Sequence, residues 1–223
     1  NRTPQTYFYG FWDLEKQEVC LGATPELLFV HSQNQVKTSA IAGTLSPHGL
    51  TGKGNLDAND KIKTEHQFVV DGIEKSLKGF GTLEIKETNV LDLKVLSHLK
   101  TDILIHTHQN KFHFELFLRA LHPTAALGTL PKDAGHDWLC SIENLGPPRS
   151  HYACPFGISI GEDFSLCVGM IRCLQWLGSK MTITAGGGVI AQSHFDEEWK
   201  EICLKFGAIK RSLGLSSSFH IDT

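Results

Sequence analysis

The chain has 223 residues, of which 41% are hydrophobic, and this is enough to bury a substantial core. Lys and Arg total 21 against 24 Asp and Glu, so the net charge is −3 and there is no basic surplus to neutralise a nucleic acid. No apolar stretch reaches the ~20 residues of a membrane span, and the N-terminus does not resemble a secretion signal. We therefore expect a soluble, cytoplasmic protein that binds neither nucleic acid nor membranes.

The six cysteines form no C-x-x-C pair, and a chain of this length does not need disulfides for stability, so we expect free thiols. The sequence begins at Asn1 without a Met and almost at once becomes strand-like at 7–12. This suggests a piece of a longer protein. We expect one domain over 1–213 and a flexible, Ser-rich tail over 214–223, and the oligomeric state stays open.

The N-terminal half predicts a meander of strands followed by a helix. Residues 18–31 are typical of two strands separated by a Gly-Ala-Thr-Pro turn, and 35–45 of a third strand that ends at Gly43. Over 60–77, apolar residues recur at helical spacing.

In the C-terminal half, 112–121 is typical of a helix that Pro123 stops. Strands are predicted at 164–177 and 180–191, and a last helix at 196–213. Strands and helices are both abundant, but they do not alternate regularly. We therefore predict an α+β fold built on antiparallel sheet.

Charged residues border the apolar faces of two predicted helices. Glu198, Glu201 and Lys205 lie along one edge of the last helix, and Glu65 lies beside the inward face of the helix over 60–77. A solvated Glu–Lys pair explains the first group equally well. An unpaired carboxylate near the core is costly, however, and Mg²⁺ held by carboxylates from both helices would compensate it.

Three further features suit an anionic ligand or acid catalysis. The glycines at 186–188 can present successive backbone N–H groups to a carboxylate, although a tight turn also needs glycine. Arg172, in an otherwise apolar strand, can hold a carboxylate through two hydrogen bonds or reach solvent from an edge strand. Glu26 follows Pro25 and would be a general acid if burial raises the pKa of its carboxyl; otherwise it is an ordinary turn residue.

A zinc hydrolase is the alternative of a different class. His106 and His108 alternate on a predicted strand, and His113 and Glu115 follow them. No further ligand stands at a recognisable spacing. The remaining histidines are scattered and need no common purpose.

Together, these segments resemble the chorismate-binding enzymes, the family of isochorismate, salicylate, anthranilate and aminodeoxychorismate synthases. The resemblance runs from about Cys20 to Lys205. It rests on LGATPELL (21–28), IAGTL (41–45), KTEHQFVVDGI (63–73), VLSHLKTDI (95–103), HPTAALGTLPK (122–132), PRSHYACPFG (148–157), MIRC (170–173), AGGGVI (185–190) and EEWKEICLK (197–205). It implies a large α+β domain of packed antiparallel sheets with helices outside.

The resemblance also implies roles for individual residues. Glu26 would protonate the departing C4 hydroxyl of chorismate, and His98 is grouped with it as a catalytic candidate. Glu65 and Glu201 would hold Mg²⁺, with Glu198 acting through water. The groups around the substrate carboxylates would be Tyr152, Arg172, Gly186, Gly187, Gly188 and Lys205, and those lining the pocket Gly43, Thr44 and His98. Ala126 would be a further substrate-binding residue.

Within the family, the segment QFVVDGIEKSL (67–77) and Ala126 resemble the isochorismate synthases, which add water at C2 of chorismate as the C4 hydroxyl leaves. Amination, as in aminodeoxychorismate or anthranilate synthase, is the alternative. The water-adding members use a Lys upstream of the T-P-E turn as general base, and the family spacing would place it before Asn1. A non-catalytic remnant, or one part of a split assembly, is therefore a third hypothesis. The pathway stays open among menaquinone, siderophore, salicylate and folate synthesis.

Overall fold

The structure is a computed structural model that describes residues 6–32, 35–45, 60–93, 96–107, 112–143, 149–212 and 214. These residues form eleven strands and four helices. The strands are β1 (Tyr7–Asp13), β2 (Glu18–Thr24), β3 (Leu27–Ser32), β4 (Gln35–Leu45), β5 (Gly81–Ile85), β6 (Asn89–Asp92), β7 (Ser97–Thr107), β8 (Pro155–Ile160), β9 (Phe164–Gly169), β10 (Cys173–Leu177) and β11 (Lys180–Ile183). The helices are α1 (Asp60–Leu77), α2 (Phe114–Leu121), α3 (Lys132–Glu143) and α4 (Phe195–Ser212).

The strands form two antiparallel sheets. One has four strands in the order β1-β2-β10-β11, and the other has seven, in the order β5-β7-β4-β3-β9-β8 with β6 also paired to β7. Every strand pair in both sheets is antiparallel. The predicted α+β fold is therefore confirmed.

The chain passes from one sheet to the other at two neighbouring places. β2 leads into β3 through Pro25 and Glu26, and β9 leads into β10 through residues 170–172. The Gly169 N–H donates to the Glu26 carbonyl at 3.0 Å, and the Ala23 N–H donates to the Arg172 carbonyl at 3.4 Å. Both crossings thus lie side by side, and this junction positions the candidate site.

Two apolar clusters hold the sheets and helices together. The larger lies between the seven-stranded sheet and helices α1 and α2, and includes Phe29, Ile73, Ile103 and Phe117. The smaller draws residues from both sheets; its buried members are Tyr9, Cys20, Leu27, Val168, Met170 and Cys173. None of the helices in the described ranges is long and apolar enough to cross a membrane.

The predicted end of the third strand at Gly43 is wrong. β4 continues to Leu45 through a bulge between Ala42 and Thr44, where Gly43 has a φ of 71°. A Cβ at Gly43 would lie 2.8 Å from the carbonyl oxygen of Ile62. Glycine here does not end the strand; it allows the strand to bend around the start of α1.

Three differences occur in the C-terminal half. The predicted strand over 164–177 is two strands, β9 and β10, which belong to different sheets, and Arg172 lies between them rather than in a strand. The predicted strand over 180–191 ends at Ile183, before the glycines. The sequence pattern does not predict helix α3. Its apolar residues Trp138 and Ile142 are exposed, so the helix has no apolar inward face of the kind that predicts a helix. Of the expected tail, only Gly214 is described.

Candidate active site

Glu26 is the buried acid at the junction of the two sheets. Its side chain is 3% exposed, and its Oε1 accepts a hydrogen bond from the Thr124 hydroxyl at 3.3 Å. Burial raises the pKa of Glu26 to about 7, because loss of water disfavours the carboxylate; Thr124, Arg172 and Lys205 lower it only in part. A carboxyl that exchanges its proton near neutrality is suited to general acid catalysis.

Arg172, in the crossing from β9 to β10, faces His98 near the start of β7. The Arg172 Nη2 donates to His98 Nε2 at 2.8 Å. Burial, helped by the charges of Arg172 and Lys205, lowers the pKa of His98 to about 3, so the ring is neutral and can accept this hydrogen bond. The alternative in which Arg172 reaches solvent from an edge strand is therefore wrong.

Thr44 connects His98 to helix α4. With its Nε2 accepting, His98 carries its proton on Nδ1, which lies 3.4 Å from the Thr44 hydroxyl. Thr44 in turn donates to Glu201 Oε1 at 2.8 Å. Arg172, His98, Thr44 and Glu201 thus form one chain of hydrogen bonds that starts at a cation and ends at a carboxylate.

The bulge in β4 sets this arrangement, because Gly43 and Thr44 donate hydrogen bonds to different carboxylates. The Gly43 N–H donates to the Glu65 carboxylate of α1, while Thr44 serves Glu201 of α4. The register with β7 passes from Ala42 directly to Thr44, so Gly43 is the unpaired residue of the bulge and its N–H is left for Glu65.

The three glycines pass directly over the charged groups of both helices. Lys205 Nζ donates to the Gly186 carbonyl at 3.0 Å. A Cβ at Gly188 would lie 3.2 Å from Glu65 Oε1, and a Cβ at Gly186 would lie 3.2 Å from the Tyr152 hydroxyl. A Cβ at Gly187 would lie 3.8 Å from Glu198 and 3.9 Å from Glu201. The segment therefore contains glycines because its backbone passes close to these side chains, and not only because the chain turns there.

The carboxylates suit a hard cation by their chemistry. Burial, with repulsion from Glu201 and Glu198, raises the pKa of Glu65 to about 7. Lysines partly balance the other two: Lys61 Nζ lies 2.6 Å from Glu198 Oε1, and Lys205 Nζ lies 2.6 Å from Glu201 Oε1. Within the described ranges, no group of three or more His, Cys, Asp or Glu side chains is arranged to hold a metal ion as it stands. The oxygen donors, and the repulsion that Glu201 and Glu198 exert on the buried Glu65, fit Mg²⁺, which stays a prediction.

All but one of the predicted site residues lie along this connected set of contacts. The exception is Ala126, which packs against the larger apolar cluster in the turn after α2. It lies two residues from Thr124, whose hydroxyl reaches Glu26. Ala126 can therefore affect the acid through the shape of this turn.

The candidate zinc ligands that the structure describes contact other side chains and not a common metal position. His106 Nε2 lies 3.6 Å from Glu84 Oε2, and Glu115 pairs with Arg119 at 2.7 Å. His108 lies outside the described residues. Among the donors that the structure places, these side chains form no metal-binding group.

Two contributors escaped the sequence reasoning. Thr124 lies in the H-P-T-A-A-L-G segment, 98 positions after Glu26 in the sequence. Only the fold brings the two side chains into contact. Lys61 stands four residues before Glu65, a spacing that places both on one face of α1, and it pairs with Glu198. The helical spacing could have identified Lys61, whereas Thr124 has no local signal.

The family model of the chorismate binding enzymes matches residues 1–214. The chain belongs to this family. It is 33% identical over 201 residues to the salicylate biosynthesis isochorismate synthase of Pseudomonas aeruginosa, covering 86% of this chain and 41% of that protein. It is 30% identical over 204 residues to isochorismate synthase MenF of Haemophilus influenzae, covering 89% of this chain and 46% of that protein. The structure of MenF, the menaquinone-specific isochorismate synthase from Escherichia coli, superposes with a TM-score of 0.76 at 28% identity, covering 86% of this chain and 45% of that one.

Membership of the chorismate-binding family confirms the resemblance inferred from the sequence motifs. The matched region extends beyond the span from Cys20 to Lys205 that carried that inference. The chain nevertheless spans less than half the length of these three relatives.

Proposed function

We propose that this chain forms the chorismate site of a Mg²⁺-dependent isochorismate synthase. The single observation that carries the proposal is Glu26, a fully enclosed carboxyl with a pKa of about 7 that lies at the sheet junction beside Arg172. An acid and an anion-binding cation side by side match a reaction in which a dianionic substrate loses a hydroxyl group.

In this reaction Glu26 donates its proton to the C4 hydroxyl oxygen. The C4–O bond breaks and water leaves, while the oxygen of a second water bonds to C2 and the ring double bond shifts. One proton enters from Glu26 and one leaves to a base, so the product is an isomer of chorismate. Protonation matters because hydroxide is a poor leaving group.

The cationic side of the site would hold the two substrate carboxylates. Arg172 offers a planar fork of N–H donors, of which Nη2 contacts His98. Lys205, the Tyr152 hydroxyl and the N–H groups of the glycine segment lie on the other side. These fixed donors need no reorganisation when the substrate arrives.

Glu65 and Glu201 would hold Mg²⁺, with Glu198 acting through water. The cation would balance the charge of the ring carboxylate and fix the ring in place. Lys61 and Lys205 pair with two of these carboxylates. Mg²⁺ would therefore have to compete with these two lysines.

We expect the base that deprotonates the attacking water to be none of the lysines that the structure places at the site. Lys61, Lys100 and Lys205 each have their Nζ within 3.0 Å of a carboxylate oxygen. An amine held by a carboxylate is poorly placed to take a proton from water. We keep the expectation that a Lys upstream of the T-P-E motif serves in the whole protein. The cytoplasmic location also stays a prediction, and the pathway stays open among menaquinone, siderophore, salicylate and folate synthesis.

Product analysis tests the reaction. We expect chorismate and Mg²⁺ to yield isochorismate in the whole protein, without ammonia and without release of pyruvate. Formation of aminodeoxychorismate or anthranilate that depends on ammonia would replace the proposal by amination. Tight chorismate binding without turnover in the whole protein would favour a non-catalytic remnant.

Calorimetry tests the metal. Chorismate should bind more weakly in EDTA than in Mg²⁺, and Glu65→Gln should remove most of this difference. Glu74→Gln, an exposed position on the same helix, is the matched control and should behave like the parent. Equal affinities in Mg²⁺, in EDTA and in Glu65→Gln would rule out the metal assignment.

A further inference from the structure

A tyrosine of the edge strand holds both neighbours of Arg172. Tyr9 is 8% exposed, and its hydroxyl donates to the Ile171 carbonyl at 2.9 Å. Burial raises the pKa of Tyr9, and the buried Cys173 thiol, which lies beside the same hydroxyl, raises it further. The residues immediately before and after Arg172 are thus fixed by one side chain that comes from a different part of the sequence.

In β2, the strand between β1 and β10, Gly22 leaves room for the Tyr9 side chain. Tyr9 of β1 pairs with Gly22 of β2, and Gly22 pairs with Cys173 of β10, so the three residues form a row across the sheet. A Cβ at Gly22 would overlap the Tyr9 ring. The glycine therefore opens the path along which the ring crosses β2 to reach β10.

Arg172 needs such support because its backbone is in an unfavourable conformation. Its φ is 54°, in the left-handed region that residues with a side chain rarely adopt and that persists only where the surroundings hold it. In this conformation the guanidinium lies 2.8 Å from His98. Relaxation to a negative φ would redirect the side chain and break this contact.

We propose that Tyr9 is a positioning residue for Arg172. It fixes residues 171–173 so that the guanidinium meets His98 and stays aimed into the junction of the sheets. That the same guanidinium then binds a carboxylate of chorismate rests on the proposed function. Tyr9 acts only through Arg172 and takes no part in the chemistry.

Tyr9→Phe tests this proposal, with Tyr7→Phe as the matched control. Tyr7 lies on the same face of the same strand and is half-buried, so its variant also removes one tyrosine hydroxyl. We expect Tyr9→Phe to weaken chorismate binding by about three- to tenfold, the range given by one net hydrogen bond. We also expect a shifted ¹⁵N resonance of His98 Nε2, because that nitrogen reports the contact with Arg172. Tyr7→Phe should change neither quantity.

The two measurements separate the possible failures. Tyr9→Phe with a lower unfolding temperature but unchanged affinity and an unchanged His98 resonance would overturn the positioning role. If the parent binds no chorismate but Tyr9→Phe still shifts the His98 resonance, the proposed function fails and the positioning role stands. If Tyr9→Phe does not fold, Cys173→Ala removes the second contact of the hydroxyl, and an unshifted His98 resonance in that variant would overturn the proposal.

Discussion

At the scale of single residues, the reactivity of Glu26 is set by its surroundings. The carboxyl has lost its water, and the hydrogen bond from Thr124 does not compensate fully, so it keeps its proton up to a pH of about 7. The chain has 24 Asp and Glu residues, and their residue types alone do not distinguish this one from a surface carboxylate.

We expect Glu26→Gln to lower kcat of the whole enzyme by about 10²- to 10⁴-fold while chorismate affinity changes little. Protonation of the leaving oxygen contributes in the transition state and much less in the bound ground state. Steady-state kinetics and calorimetry measure the two effects. Glu15→Gln, an exposed turn residue, is the control, and an equal loss of kcat in both variants would contradict the assignment.

The raised pKa of Glu26 also predicts how stability depends on pH. Since the pKa rises from 4.5 to about 7 on folding, the folded protein binds more protons than the unfolded chain between these values. The free energy of unfolding should therefore fall as the pH rises through this window, by about 1.4 kcal/mol per unit of pKa difference. Relative to the parent, Glu26→Gln should gain stability from pH about 5 to about 8. Denaturant unfolding across this range measures it, and parallel pH profiles would show that Glu26 keeps an ordinary pKa.

At the scale of elements, the bulge in β4 is the feature on which the site depends. It turns Gly43 towards Glu65 and Thr44 towards Glu201, and it leaves room for Ile62 at the start of α1. Strand and helix are thereby fixed relative to each other at the point where the carboxylates converge.

Gly43→Ala should therefore lower stability by about 1–3 kcal/mol and weaken Mg²⁺-dependent chorismate binding. A methyl group at this positive φ is strained, and it would also meet the Ile62 backbone. Gly79→Ala is the matched control, because a Cβ there meets nothing within 4 Å. Denaturant unfolding and calorimetry measure both effects, and equal behaviour of the two variants would mean that the bulge does not need glycine.

At the scale of the whole molecule, the four-stranded sheet turns an apolar face outward. Strand register places Trp12 beside Val19 and Val19 beside Trp176, and Leu21 lies beside Gly10. Phe8 and Trp12 are 68% and 70% exposed. Exposed apolar surface next to β1, the outermost strand of this sheet among the described residues, favours association.

We expect the 223-residue chain, expressed by itself, to self-associate through this face. Phe8→Ser combined with Trp12→Ser should shift it towards monomer in sedimentation velocity. Leu14→Ser is the control, because Leu14 is equally exposed but lies in the turn after β1. A parent chain that stays monomeric at all concentrations would contradict this expectation.

The same 223 residues should turn over chorismate slowly even where they bind it. Among the described residues, Lys61, Lys100 and Lys205 each lie within 3.0 Å of a carboxylate oxygen, so we expect none of these three to deprotonate water efficiently. Assays of this chain beside one extended upstream of Asn1 measure the difference. Equal rates would place the base within the 223 residues.

The sequence by itself determined the fold class, the α1 and α4 helices, the family and the break between two strands at Pro25. The predicted Gly-Ala-Thr-Pro turn is wrong in its extent, because Gly22, Ala23 and Thr24 belong to β2 and pair with β1. The correctly predicted features are local: helical periodicity, turn residues and short motifs all operate over a few neighbours in the chain. The acids of the two helices could be predicted because helical spacing fixes which face each one shares.

Only the tertiary structure decided how the site is assembled. Three features depend on segments that are far apart in sequence. They are the split of 164–177 between two sheets, the left-handed backbone of Arg172 and the contact of Thr124 with Glu26. The physical reason is that a crossing between sheets has no period of its own. Its conformation is set by the strands packed around it, and the pKa of Glu26 follows from the water that this packing excludes.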